Sequence, residues 1–356
     1  MSEGVSKGDP SNPDVSDTSE DGDGPAWTGD PVVDRVCDTL AGAAPEIERA
    51  LAQRRAYVDR ENPSGDRIRA ADEFADTRLE EGLLAVGGVA SYASEEREAA
   101  VPAEEVGEPD GTAYHLAVDP LDGSSNLQSN SPMGTIVGVY DEPLPASGDN
   151  LVAAAYVLYG PNTTMVVADG DRAAEYLLVE GEATALDDDL SIPEEPTVYG
   201  MGGRRPDWTE RVRAATEAME ADRLKLRYGG AFVADVTQVL VHGGLFAYPE
   251  LQDTPEGKLR YHFECAPMGL VVTSAGGAAT TGEGDWRSVD PTALHERSPT
   301  TARPTSPPSP IPINRSGSTE KSIESRPPPS ETTTGPAWVP LTETVWLPGS
   351  SNCVRN

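Results

Sequence analysis

Apolar positions along the chain follow two rhythms. From Pro31 onward, Val32, Val33, Val36, Leu40, Ile47 and Leu51 recur at helical spacing, which predicts one or two amphipathic helices. Asn62-Pro63-Ser64-Gly65-Asp66 reads as a turn, and a further helix runs to about Leu84. The period then shortens. Residues 86–92 read as a short strand or helix–strand junction, 102–111 as a loop, and 114–118 as a buried strand that breaks at Pro120, which has no N–H for a ladder. Residues 131–140, 151–159, 165–168 and 174–179 continue as strands, with Asp169-Gly170-Asp171 as a hairpin turn between the last two. This predicts a helix layer on a mixed sheet. A second subdomain starts near Asp187: a strand at 198–201, a helix at 208–219, a helix at 233–242 stopped by Gly243-Gly244, a strand at 245–248 and a helix at 267–275.

The chain ends read differently. Residues 1–30 are Ser/Asp/Gly/Pro-rich with eight acids and one Lys, the composition of a disordered segment. The formal net charge is −33, and only four lysines occur: Lys7, Lys225, Lys258 and Lys321. Such a surface suits a salt-adapted cytosolic protein, where high salt screens self-repulsion. It repels nucleic acid and anionic membranes, so neither is expected as a partner. Three well-separated cysteines, Cys37, Cys265 and Cys353, form neither a disulfide framework nor a zinc spacing. No apolar run reaches membrane-spanning length and the N-terminus lacks an apolar core, which predicts a cytoplasmic protein.

Candidate chemistry centres on Asp119-Pro120-Leu121-Asp122-Gly123-Ser124-Ser125-Asn126. Two carboxylates at a strand exit, with the Leu121 carbonyl between them, converge on a hard cation, which prefers oxygen ligands. Gly123, Ser124 and Ser125 supply free N–H groups and hydroxyls, a natural phosphate cradle. Taken alone, D-x-x-D-G is more often an Asx-rich helix cap. The whole octapeptide resembles the metal-binding motif of the fructose-1,6-bisphosphatases, within the magnesium-dependent, lithium-sensitive sugar and inositol phosphatases. Further segments resemble that family in the same order. They are Ser94-Glu95-Glu96, Ser131 to Tyr140, Arg227-Tyr228-Gly229-Gly230 through Asp235-Val236, Gly257-Lys258-Leu259-Arg260, Tyr261 through Met268 ending on Pro267-Met268, and His295-Glu296-Arg297-Ser298-Pro299.

The resemblance covers about residues 31–299. It implies an α/β, layered α+β fold of two stacked sheet-and-helix subdomains: a metal-binding phosphatase unit at 31–186 and a sugar-phosphate-binding unit at 187–299. It implies two or three Mg²⁺ ions, with Mn²⁺ an alternative, held by Glu95, Asp119, Asp122, Glu264 and the Leu121 carbonyl. Asp72, which lies 23 residues before Glu95, and Glu96 would take the proton from the attacking water, with Asp66 as a loop partner. Asp122, Gly123, Ser124 and Ser125 would meet the reacting phosphate. Tyr228, Tyr248 and Lys258 would hold the distal phosphate, with Arg227 supplied across a subunit interface, so a homodimer or homotetramer is expected. The implied reaction is gluconeogenic hydrolysis of the 1-phosphate of fructose 1,6-bisphosphate to fructose 6-phosphate and phosphate.

Departures bear on the substrate. The family's Asn-Glu-Gly-Tyr stretch reads Gly202-Gly203-Arg204-Arg205, and Arg204 or Arg205 is expected to replace the lost contacts. The pair that serves AMP in animal enzymes reads Ala113-Tyr114, so AMP inhibition is not expected. Sedoheptulose bisphosphate and inositol phosphate are alternative substrates, and a non-catalytic phosphate- or cation-binding protein on the same fold is an alternative class. Beyond Pro299 the resemblance stops. Residues 301–356 carry eleven Pro, no Asp and five basic against four acidic residues. A tail from residue 300 is read as a disordered extension or as the product of a shifted reading frame, the frame shift preferred of the two, with a Pro-rich interaction tail as the alternative.

Overall fold

The computed structural model describes residues 25–304 except 64, 66, 105–112 and 283. The readings made for most of the acidic N-terminus, for Asp66, for most of the 102–111 loop and for the tail beyond residue 304 lie outside the described residues. In chain order the elements are α1 (Pro31–Gln53), β1 (Tyr57–Glu61), β2 (Arg67–Arg69), α2 (Ala70–Leu84), β3 (Val89–Ser94), β4 (Val101–Pro102), β5 (Tyr114–Asp122), β6 (Met133–Tyr140), β7 (Leu151–Tyr159), β8 (Thr163–Ala168), β9 (Ala173–Val179) and β10 (Glu182–Asp187). Then come β11 (Val198–Met201), α3 (Glu210–Ala221), β12 (Lys225–Leu226), α4 (Phe232–His242), β13 (Gly244–Tyr248), β14 (Leu259–Arg260), α5 (Ala266–Ser274), β15 (Gly277–Thr280), β16 (Arg297–Ser298) and β17 (Thr300–Pro304).

The first stretch forms one helix. Asp30 caps it, accepting from the Val32 and Val33 N–H groups at 2.8 and 3.1 Å, and Pro31 sits in the first turn, where no N–H is needed. Two sheets follow. The larger has the order β10-β9-β8-β7-β6-β5-β3-β4, the smaller β12-β11-β13-β17-β15. Alternation along the strands decides which layer each side chain enters. Leu116 and Val118 of β5 pack with Leu40, Ile47 and Leu79 of α1 and α2, whereas Ala117 faces the opposite core. That second core lies between the sheets and is built on α4 and α5, with Phe232, Val236, Leu270 and Phe246. The outer face of the small sheet is covered by α3 through Val212 and Met219, against Tyr199 and Leu245. The result is five layers: helices, large sheet, helices, small sheet, helix.

Three expectations are corrected. The strand expected to break at Pro120 continues to Asp122. Asp119 pairs with Ile136 and Asp122 with Gly134, so β5 spends one residue more than β6 over this stretch. This bulge absorbs the missing Pro120 N–H, and the Pro120 carbonyl accepts from Thr135 Oγ1 at 2.9 Å. Pro102, expected to open a loop, instead ends β4, which pairs with β3. Residues 300–304, expected as part of a tail, form β17 inside the small sheet, antiparallel to β13 and β15, with Thr300, Thr301 and Ala302 buried.

Candidate active site

Strand and helix ends from both halves meet at one cleft of about 280 Å³. The β5 bulge matters first. Residues three apart on a regular strand face opposite sides. The extra residue turns Asp119 and Asp122 to the same side. Asp119, Asp122 and Glu264 bring carboxylate oxygens within 4.8 Å of one another, all buried. Glu264 comes from the π-helical turn Tyr261–Cys265 that leads into α5. Its Oε2 accepts from the Arg260 N–H at 2.6 Å, and Asp122 Oδ2 accepts from the Val233 N–H at the start of α4 at 2.7 Å. Asp119 Oδ1 accepts from the Leu121 N–H at 3.0 Å.

Beside this cluster, Glu95 at the end of β3 pairs with the Arg260 guanidinium at 2.7 Å, which also lies 3.7 Å from Glu264. Asp72, in the first turn of α2, accepts from the Arg69 N–H at 2.6 Å. Asp72 Oδ1 and Glu96 Oε2 are buried with no hydrogen-bond partner among the described residues. Burial is the main cause of every shift here, and neighbouring carboxylates add to it. Asp119 and Asp122 are pushed well above the ordinary carboxylate range, Glu264 to about 7 and Glu96 to about 9. Asp72 rises to about 6, with the Arg69 N–H and guanidinium opposing the rise. Dehydrated carboxylates crowded this closely are unfavourable without a counter-charge. An all-oxygen set of this kind fits a hard divalent cation.

The rest of the wall suits a phosphorylated ligand. Gly123 stands at φ 73°, and a Cβ there would overlap Ala231, so the tight turn admits only glycine. Ser124 and Ser125 follow it along the cleft. Asn126 ties this turn to the segment before α4 by donating to the Gly229 carbonyl at 2.8 Å, and Asp235 holds that segment through the Gly229 and Gly230 N–H groups. Also on the cleft wall, Lys258 Nζ lies 5.5 Å from the ring centroid of buried Tyr248, whose hydroxyl is 3.3 Å from that of half-exposed Tyr228. Arg227 is exposed, its N–H donating to the Tyr199 carbonyl.

Neither Arg204 nor Arg205 lines the cleft, and Arg205 pairs with Glu217 at 2.9 Å. Gly202 serves packing instead, since a Cβ there would strike the Tyr248 ring. Arg260, Arg69 and Arg67 line the cleft without having been singled out in the sequence. The signal for Arg260 lay in Gly257-Lys258-Leu259-Arg260. A larger cavity of about 480 Å³ adjoins Glu96, and both of its arginines are already paired, Arg97 with Asp76 at 2.7 Å and Arg60 with Glu73 at 3.4 Å.

The layered fold and this cleft are those of a phosphoric monoester hydrolase. Residues 43–185 match the model for the fructose-1,6-bisphosphatase N-terminal domain, and residues 192–303 match that for the C-terminal domain. The class 1 fructose-1,6-bisphosphatase of Natronomonas pharaonis is 51% identical over 268 residues, covering 75% of this chain and 93% of that protein. That of Halobacterium salinarum is also 51% identical, over 76% of this chain and 92% of that protein. The crystal structure of Leishmania major fructose-1,6-bisphosphatase in holo form superposes with a TM-score of 0.71 at 27% identity, over 76% of this chain and 90% of that one. The chain belongs to the fructose-1,6-bisphosphatase family.

Proposed function

We propose that the protein hydrolyses the 1-phosphate of fructose 1,6-bisphosphate in a reaction dependent on Mg²⁺. The observation that carries this reading is the buried Asp119–Asp122–Glu264 cluster facing the Gly123-Ser124-Ser125 turn, with Lys258 lining the same cleft. Asp119, Asp122, Glu264, Glu95 and the Leu121 carbonyl would hold the cations. When bound, these ions neutralise phosphoryl charge and make water a better nucleophile.

The chain's own residues do the rest. Asp72 Oδ1 and Glu96 Oε2 are buried carboxylate oxygens without a hydrogen-bond partner among the described residues. Asp72, at about 6, is ionised at neutral pH yet basic enough to accept a proton from the attacking water. The N–H groups and hydroxyls after Asp122 meet charge developing on the phosphoryl oxygens. Lys258, Tyr248 and Tyr228 bind the distal phosphate, joined by Arg227 from a neighbouring subunit of a homodimer or homotetramer. The extreme negative charge supports a salt-adapted, cytoplasmic setting.

The test is phosphate release from fructose 1,6-bisphosphate, sedoheptulose 1,7-bisphosphate and inositol 1-phosphate in molar KCl, with Mg²⁺ or with chelator. The highest kcat/KM is expected on the fructose ester, with no turnover in chelator. Preference for inositol phosphate, or turnover independent of divalent cation, overturns the reading.

A further inference from the structure

The hairpin of β1 and β2 places two arginines on the cleft wall of a chain with net charge −33. Arg67 and Arg69 are two apart on β2 and share a face, while Ile68 between them is buried in the opposite direction. Both guanidinium groups lie over the Tyr57 ring, 4.5 and 4.1 Å from its centroid, and Tyr57 is the cross-strand partner of Arg69. Arg69 Nη2 donates to the Tyr57 hydroxyl at 2.6 Å. Nη1 has no hydrogen-bond partner among the described residues, although Arg69 is only 2% exposed.

A buried guanidinium with an idle donor is strongly unfavourable unless a ligand completes it. The Asp72 carboxylate stands near the guanidinium and interacts with it through charge, without a hydrogen bond between the side chains. Arg260 engages Glu95 and Glu264, and Asp72 accepts from the Arg69 backbone rather than from its side chain. An anion entering the cleft would complete the guanidinium. A phosphoryl group, with three non-bridging oxygens, matches the planar fork of Arg.

We propose that Arg69, backed by Tyr57 and Arg67, clamps the phosphoryl group undergoing hydrolysis and then the inorganic phosphate it becomes. This assignment rests on the phosphatase reading above. It gives Lys258, beside Tyr248, the distal phosphate and Arg69, beside Asp72, the reacting one. As a clamp, Arg69 stabilises charge that grows on the phosphoryl oxygens, so its loss slows turnover more than it weakens substrate binding.

The test compares Arg69→Gln, Arg69→Lys and Lys258→Ala at saturating Mg²⁺ in molar KCl. Arg69→Gln is expected to lower kcat about 10²-fold with KM held within about threefold, and to weaken inhibition by inorganic phosphate at least about tenfold. Arg69→Lys keeps the charge without the fork and falls between. Lys258→Ala raises KM and leaves phosphate inhibition unchanged. A folded Arg69→Gln protein with kcat and phosphate inhibition within about twofold of the parent overturns the clamp. Where Arg69→Gln melts early, Arg69→Lys carries the test, and equality with the parent in both readouts is the overturning result. The phosphate arm is independent of the sugar. If the parent does not hydrolyse fructose 1,6-bisphosphate, the rise in melting temperature with inorganic phosphate and Mg²⁺ replaces inhibition. Its loss in Arg69→Gln then supports the clamp while the substrate reading fails, and its persistence overturns the clamp.

Discussion

At the scale of single residues, the site is a set of carboxylates the fold holds against their preference. Asp122→Asn or Glu264→Gln removes one charge from the cation set, and each is expected to lower turnover at least about 10²-fold, the scale of losing a major charge-stabilising group. Steady-state kinetics in saturating Mg²⁺ checks this, and near-parental turnover removes the residue from the mechanism. The same crowding has a signature without substrate. In metal-free protein burial raises Asp72 to about 6, Glu264 to about 7 and Glu96 to about 9. From the ordinary carboxylate range near 4 up to those values, the folded chain binds more protons than the unfolded one. Stability from these groups is therefore complete at low pH and is lost as pH rises through the window. The melting temperature of metal-stripped protein should fall from about pH 5 to about pH 9, and Mg²⁺ should raise it more at about pH 8 than at about pH 6, because binding needs the deprotonated forms. A flat pH profile with equal Mg²⁺ increments contradicts this account. Which residues were legible follows from where their partners lie. Asp119 and Asp122 share one octapeptide, so their pairing is written locally. Arg69 acquires meaning from Tyr57 across a hairpin, and Arg260 from Glu95, far away in the chain. The Gly257-Lys258-Leu259-Arg260 segment marks Arg260 but not its Glu95 partner.

At the scale of elements, the decisive feature is the irregular end of β5. Alternation alone places Asp119 and Asp122 on opposite faces; the bulge puts them on one. The sequence shows Pro120 and invites a strand break. The strand persists because β6 offers Thr135 to the Pro120 carbonyl and pairs Gly134 with Asp122, and both partners are non-local. The long helices and the buried strands were legible because their periodicity is carried by many residues. The short pieces β4, β14 and β16 lack the length to show a period. The turn after the bulge gives a sharp test. Gly123→Ala forces a side chain into φ 73° and against Ala231. A loss of about 1–3 kcal/mol is expected, with turnover falling as the Ser124-Ser125 cradle shifts. Chemical denaturation and kinetics on the same preparation check both parts, and an alanine variant equal to the parent in stability and rate shows that the turn is not tied to its glycine.

At the scale of the whole molecule, the small sheet closes only when the chain returns to it after residue 299. β17 pairs on one side with β13 through Phe246, Ala247 and Tyr248, and on the other with β15 through residues 277–280. It is an interior strand, with Thr300, Thr301 and Ala302 nearly inaccessible. Removing it strips backbone hydrogen bonds from two neighbours at once and opens the core that carries Tyr248 beside the cleft. The change of composition that made residue 300 look like the start of a tail misled because β17 is short, contains no large apolar residue and runs directly into the Pro-rich stretch. The match to the C-terminal domain ends at residue 303, in agreement with the strand rather than with the composition. Two truncations separate the possibilities. A chain ending at Pro304 is expected to keep the melting temperature and kcat/KM of the full chain in molar KCl. A chain ending at Pro299 is expected to be insoluble or to melt far earlier, with no sugar-phosphate hydrolysis. Equal behaviour of the two shorter chains would show that β17 is dispensable; loss of folding in both would place an essential element beyond residue 304.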